Sequence, residues 1–137
     1  MDYIQVFQPS PEEAVDGEAV QGAMACMQRF ASAFEAEDTT AMDACLHFPH
    51  YLLSGSAVIC WEKPGQLTQR FFDDLKAIGF QKTVADSLSI ILATPDKVHV
   101  KYGYSRIATD GHTLSKHDNV WIFVKREGAW GILLRSY

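Results

Sequence analysis

The residues of this 137-residue chain best suited to chemistry alternate along two neighbouring stretches, Tyr102-Gly103-Tyr104-Ser105-Arg106 and Ser115-Lys116-His117-Asp118-Asn119. Between them lies Asp110-Gly111, a residue pair suited to a tight hairpin turn. If that pair is the whole turn, Thr109 faces His112 and each outward step adds a pair. Arg106 then lies opposite Ser115, Tyr104 opposite His117, Tyr102 opposite Asn119 and Val100 opposite Trp121. Side chains at every second position share a face, so these pairs form one wall. The same rule, with Glu127-Gly128 as the last turn, adds Trp130, Ile132, Leu134 and Ser136, and a bulge in either strand would reverse the assignment beyond it. Imidazole both gives and takes a proton near neutrality, so the pattern predicts His117 as the acid or base, oriented by Tyr104. Arg106 or Asn119 would hold an oxygen of the ligand, with Tyr102 beside them and Trp121 and Phe123 deeper in the wall. The plainer alternative is that His117 and Tyr104 are partly exposed strand residues and Arg106 a solvated charge ending the sheet.

Composition narrows the classes of function. The apolar fraction of 47% and charged fraction of 21% are those of a globular chain, and the length suits one domain with a sizeable core. A net charge of −5 with no cluster of lysine or arginine argues against general nucleic-acid binding. No apolar run approaches the roughly 20 residues of a membrane helix, and Met1-Asp2-Tyr3-Ile4-Gln5 does not begin a signal peptide. Cys26, Cys45 and Cys60, odd in number and without C-x-x-C spacing, read as reduced, buried thiols of a cytoplasmic protein. Phosphate loops, nucleophile elbows and zinc-helix motifs are absent from the sequence.

Periodicity supplies the elements that must position these residues. Ser10-Pro11-Glu12-Glu13 has the form of a helix start, but Gly17 and Gly22 weaken the next turns, so the helix is expected to begin again at Asp16. Val20, Ala23, Met24, Met27, Phe30, Ala31 and Phe34 then make one apolar face. Asp38 caps a second helix over about residues 40 to 47, ended by Pro49, and Tyr51 to Trp61 forms a hairpin turning at Ser54-Gly55-Ser56. Pro64 opens a third helix with Leu67, Phe71, Leu75 and Ile78 buried, and Gly79 stops it. Four strands follow, Val84 to Thr94, Lys97 to Thr109, Thr113 to Lys125 and Trp130 to Tyr137. The order helix, helix, hairpin, helix and four-stranded meander is that of an α+β domain, with three N-terminal helices packed on a strongly curved, mostly antiparallel sheet. Both faces of the last hairpin are apolar, so helices are expected on one and a partner subunit on the other.

That order, with Met27-Gln28-Arg29-Phe30-Ala31, Phe34-Glu35-Ala36-Glu37-Asp38 and Gly128-Ala129-Trp130-Gly131-Ile132, resembles the cone-shaped α+β barrel superfamily. The group includes nuclear transport factor 2-like proteins, SnoaL-like polyketide cyclases and ketosteroid isomerases. The resemblance implies that residues 1–137 are a single nuclear transport factor 2-like (SnoaL-like) domain, a cystatin-like cone-shaped half-barrel. It also implies a conical pocket between the first helix and the concave sheet face, in a homodimer joined through the outer face. The ketosteroid isomerase tyrosine, aspartate base and protonated aspartic acid fall at Phe30, Ser54 and Asn119; neither of the first two can do its job, so that activity is not expected.

Two functions follow as expectations. One is a binder of a small apolar or aromatic molecule, open to a cofactor-independent isomerisation, dehydration, cyclisation or hydrolysis. It would use His117 and Tyr104 for catalysis and Arg106, Asn119, Tyr102, Trp121, Phe123, Phe30, Phe34 and His50 for the ligand. His50, beside Pro49 and near His47, is placed at the mouth of the cone; the spacing matches no ligand pattern, so no metal is expected. The other is a non-enzymatic assembly module that pairs through the outer sheet face.

Overall fold

The computed structural model describes residues 6–7 and 16–137. The helix start read at Ser10-Pro11-Glu12-Glu13 lies outside the described residues. Asp16 does begin a helix, α1 (Gly17–Glu35), with its carboxylate accepting the Ala19 amide at 2.9 Å. The Asp16 amide also donates to Ala93 O, which ties the helix start to the sheet. A short α2 (Thr39–Asp43), capped by Asp38, leads into β1 (Leu46–Ser54) and β2 (Ala57–Trp61). After α3 (Gln69–Ala77) come β3 (Phe80–Ala93), β4 (Lys97–Ala108), β5 (Thr113–Arg126) and β6 (Ala129–Ser136).

The strands form one six-stranded sheet in the order β2-β1-β6-β5-β4-β3. All pairs are antiparallel except β1 with β6, so the meander continues into the first hairpin through one parallel seam. Helices pack on one face of the curved, open sheet. Among the described residues, no helix is long and apolar enough to cross a membrane.

Three expected elements shift. The second helix does not reach residue 47, because Leu46 and His47 already belong to β1, which runs on through Pro49. The third helix starts at Gln69 and buries Phe72 and Leu75, while Ile78, expected in the buried stripe, is exposed beyond its end. Gly79 takes a φ of +89° there and lets β3 begin at once, earlier than the sequence suggested. Of the three cysteines expected to be buried, Cys60 is exposed, on the edge strand β2, four of whose five residues are exposed.

Helix α1 has two apolar faces. Ala19, Ala23, Cys26, Phe30 and Ala33 are buried, mostly small residues that let the helix lie close to the sheet. Their neighbours Met27, Ala31 and Phe34, from the stripe read in the sequence, line a cavity instead. Beneath the helix, Val98, Val100, Phe123 and Ile132 form a dry floor without exposure. At one end, Gly22 is the seat of the Trp130 indole: a Cβ there would come within 2.3 Å of Trp130 Nε1. A glycine that weakens the helix by propensity thus permits a close helix–sheet approach.

Gly22→Ala tests this directly. Helix propensity alone would favour alanine by about 1 kcal/mol, but overpacking against the ring costs about 1–3 kcal/mol, for a net destabilisation of up to about 2 kcal/mol. Denaturant unfolding should therefore show a lower midpoint; a more stable variant would contradict the packing.

Candidate functional site

The cavity between α1, α3 and the concave sheet face has a volume of about 420 Å³. Size alone suits a small organic molecule. Met27, Phe30 and Phe34 come from α1, Phe71 from α3, and Leu52 and Trp61 from the first hairpin. All the polar groups but Glu35 come from the sheet or the residue after its last strand. Tyr102, Tyr104 and Arg106 occupy alternate positions of β4, Trp121 projects from β5, and Arg135 and Tyr137 arrive from the last strand and the residue after it. Glu35 is the carboxylate on the lining and lies on the exposed side of α1.

These side chains form a row. The Arg106 guanidinium lies 6.0 Å from the Tyr104 ring and 5.8 Å from that of Phe71. Tyr104 and Tyr102 are 5.4 Å apart, and Tyr102 meets Trp121 edge-on at 5.4 Å. At the far end Arg135 is enclosed by Phe30, Trp61 and Trp121, with ring distances of 5.3, 5.8 and 5.7 Å. Each ring face attracts the cation, and together they replace part of its water. Arg135 is 7% exposed.

His50 fixes that guanidinium. The histidine is fully buried; its Nδ1–H donates to Ile132 O at 2.9 Å, which leaves Nε2 to accept the Arg135 Nε–H at 3.1 Å. This tautomer follows from the network, since a backbone carbonyl can only accept. Burial first, and the Arg135 charge second, push the His50 pKa down to about 4. Burial likewise pushes the Tyr104 hydroxyl up to about 12 and raises that of Tyr102, with Asp86 adding to the shift at Tyr102. Both phenols are therefore neutral hydrogen-bond donors near pH 7.

The β4–β5 ladder has the pairs that alternation predicts: Arg106 with Ser115, Tyr104 with His117, Tyr102 with Asn119 and Val100 with Trp121. The turn itself differs. Ala108 N–H reaches His112 O, and Ile107 pairs with Thr113, so a wider turn and a bulge at Leu114 offset each other. In the last hairpin nothing offsets the bulge. Ile122 pairs with Leu134 and Phe123 with Ile132, which leaves Leu133 as the extra residue. Leu134 and Ser136 consequently leave the wall, and Arg135 and Tyr137 enter it.

Among the expected site residues, Phe30, Phe34, Tyr102, Tyr104, Arg106 and Trp121 line the cavity. His117 shares their face but lies outside it, stacked on Tyr104 at 4.7 Å and sharing a 2.8 Å hydrogen bond with Ser115. Asn119 is buried behind the lining, its amide donating to Tyr102 O at 3.2 Å. Phe123 belongs to the core floor. His50 is not at the mouth, because β1 carries it under Arg135. His47 is drawn elsewhere, to Val124 O at 2.6 Å. Among the described residues, no three metal-ligating side chains gather. Arg135 and Tyr137 were missed because an apolar run, Ile132-Leu133-Leu134, gives no sign of which leucine bulges.

Comparison with known proteins agrees with this architecture. Residues 19–134 match the model of a family described as NTF2-like protein (DUF6841). No curated protein matches the chain. Among solved structures, a Nostoc punctiforme protein of unknown function with a cystatin-like fold superposes with a TM-score of 0.69 at 15% identity, covering 90% of this chain and 92% of that one. A putative ketosteroid isomerase from Shewanella frigidimarina gives 0.62 at 14% identity, over 84% and 93%. The association domain of C. elegans CaMKII gives 0.62 at 15% identity, over 85% and 92%. At such identities the likeness is one of fold.

The buried imidazole makes stability depend on pH. His50 titrates near 6.5 when unfolded and near 4 when folded, so between these values the unfolded chain binds the extra proton. Its full contribution is present above pH 6.5 and is lost as the pH falls toward 4, by about 3 kcal/mol. His99 and His117, also lowered chiefly by burial, act in the same direction. Denaturation across pH 4 to 7 is expected to show this loss, and His50→Gln is expected to flatten the slope; an unchanged slope in the variant would refute the assignment.

Proposed function

The chain belongs to the NTF2-like family whose model it matches, and from that premise we propose that its cone binds a small molecule with an apolar or aromatic body. The observation that carries this reading is the lining itself: aromatic and aliphatic walls with a few convergent donors around about 420 Å³. Tyr102, Tyr104, Arg106 and Arg135 are the groups that would orient the ligand by its oxygen atoms. An acid–base reaction on the bound molecule would use Tyr104 and Arg106 to stabilise developing negative charge. A role for His117 in it would require its proton to reach the cavity past the stacked Tyr104 ring, so binding is the better supported part.

We further propose that the protein works as a homodimer in the cytoplasm, with the outer sheet face as its interface. That face carries Val120, Ile122, Val124 and Leu134, half-buried and opposite the helix side. Lys101, Lys116 and Asp118 flank them, and the presence of both charge signs lets one patch meet its own copy. A pure assembly module would use the same face and have no need of the cavity.

Calorimetry with 1-naphthol separates the two. The expected result is saturable binding to the wild type and at least tenfold weaker binding to Ala31→Trp, which sets an indole at the exposed edge of the lining without touching the core. Equal binding by the variant would overturn the small-molecule reading, as would failure of both 1-naphthol and its carboxylate counterpart 1-naphthoate to bind the wild type.

Light scattering tests the interface independently. Ile122→Lys would bury an unpaired charge between copies and is expected to convert a dimer into a folded monomer. A wild type that is itself monomeric would overturn the dimer.

A further inference from the structure

The cavity holds two guanidinium groups and no carboxylate paired with either. Among the described residues the ion pairs are Arg70 with Asp74, Lys76 with Glu37 and His112 with Asp110, all outside the cone. Glu35 borders the opening but bridges to neither arginine, and Asp86 accepts a hydrogen bond from Ser105, whose side chain lies on the outer face. Among the described residues Arg135 has only neutral partners: His50 Nε2, the Tyr137 hydroxyl at 3.4 Å, and three ring faces. A guanidinium has five N–H donors, and those two hydrogen bonds leave the others without an acceptor among the described residues. The Nε of Arg106 is buried with no partner among the described residues.

Every polar group near Arg135 suits a positive charge awaiting a negative one. Tyr102 and Tyr104 can donate to an oxyanion and do not compete with it as phenolates. His50 gives up its acceptor nitrogen to hold the guanidinium and adds no positive charge of its own. A structural role alone would be met more simply by an apolar side chain, since burying a charge without its counterion is unfavourable in an apolar surround. In this low-polarity setting an incoming anion interacts with the guanidinium far more strongly than it would in water.

We infer that the ligand is an aromatic or aliphatic carboxylic acid in its anionic form, with the carboxylate on Arg135 and its apolar body along the Tyr102–Trp121 wall toward Arg106. This rests on the small-molecule reading above and adds the ligand's charge. Arg135 is the primary anchor, because its planar fork is already held edge-on by His50 and meets a carboxylate with two parallel hydrogen bonds. Arg106, half-buried at the other end of the row, supplies long-range attraction or a second contact for an oxygen at the distal end of the molecule.

Charge-matched probes test this on the intact protein. Calorimetry would compare 1-naphthoate with the neutral 1-naphthamide at pH 7, beside the same pair built on benzene. The wild type is expected to bind the carboxylates at least tenfold more tightly than the amides, and Arg135→Met to abolish that preference while amide binding persists. Arg106→Met is expected to narrow the preference without abolishing it, which keeps the comparison available if Arg135→Met does not fold. Amides that bind the wild type as well as the acids do would overturn the anion assignment and leave the cavity reading standing. Failure of all four probes and of 1-naphthol to bind would overturn both.

Discussion

The guanidinium of Arg135 sits among three aromatic rings at one end of the cone, and much of the surrounding structure serves to hold it there. Its hydrogen-bond acceptor is His50 on β1, and that imidazole is oriented by the carbonyl of Ile132 on β6. Both contacts depend on the parallel seam between β1 and β6, the one parallel junction in the described sheet. The seam therefore does more than extend the sheet. It brings a neutral imidazole against the buried guanidinium, and the arginine in turn disfavours protonation of that imidazole.

The helix side is shaped by the same requirement for space above the charge. Small residues of α1 approach the sheet closely at one end, where Gly22 receives the Trp130 ring, while Phe30 and Phe34 stand off at the other. Phe34 packs edge-on against Phe71, Phe72 and Phe80, so one aromatic cluster links α1, α3 and the start of β3. The cone stays open where these rings meet only one another's edges and closes where Val98, Val100, Phe123 and Ile132 interdigitate. Cavity and core are thus two ends of one apolar layer.

Much of this arrangement was legible in the sequence. Helix caps, turn residues and alternation were enough for the element order and for the long β4–β5 ladder, whose pairs survive because its wider turn and its bulge offset each other. A face assignment carried along a strand holds only as far as the next bulge, however, and the extra residue at Leu133 exchanged Leu134 and Ser136 for Arg135 and Tyr137. Helical periodicity had a similar limit: it marks Met27 and Phe34 as apolar, but it does not distinguish a residue packed on the sheet from one facing an empty volume. His50 went astray because Pro49 reads as a helix terminator, whereas here it lies within a strand that runs beneath the cavity.

The coupling between Arg135 and His50 is most directly observed by nitrogen-resolved NMR of the histidine side chains as a function of pH. His50 is expected to carry its proton on Nδ1, to remain neutral well below pH 6.5, and to titrate higher once Arg135 is replaced by methionine. A His50 ring protonated on Nε2, or one that titrates like a free histidine whether or not Arg135 is present, would contradict the central role given to this pair.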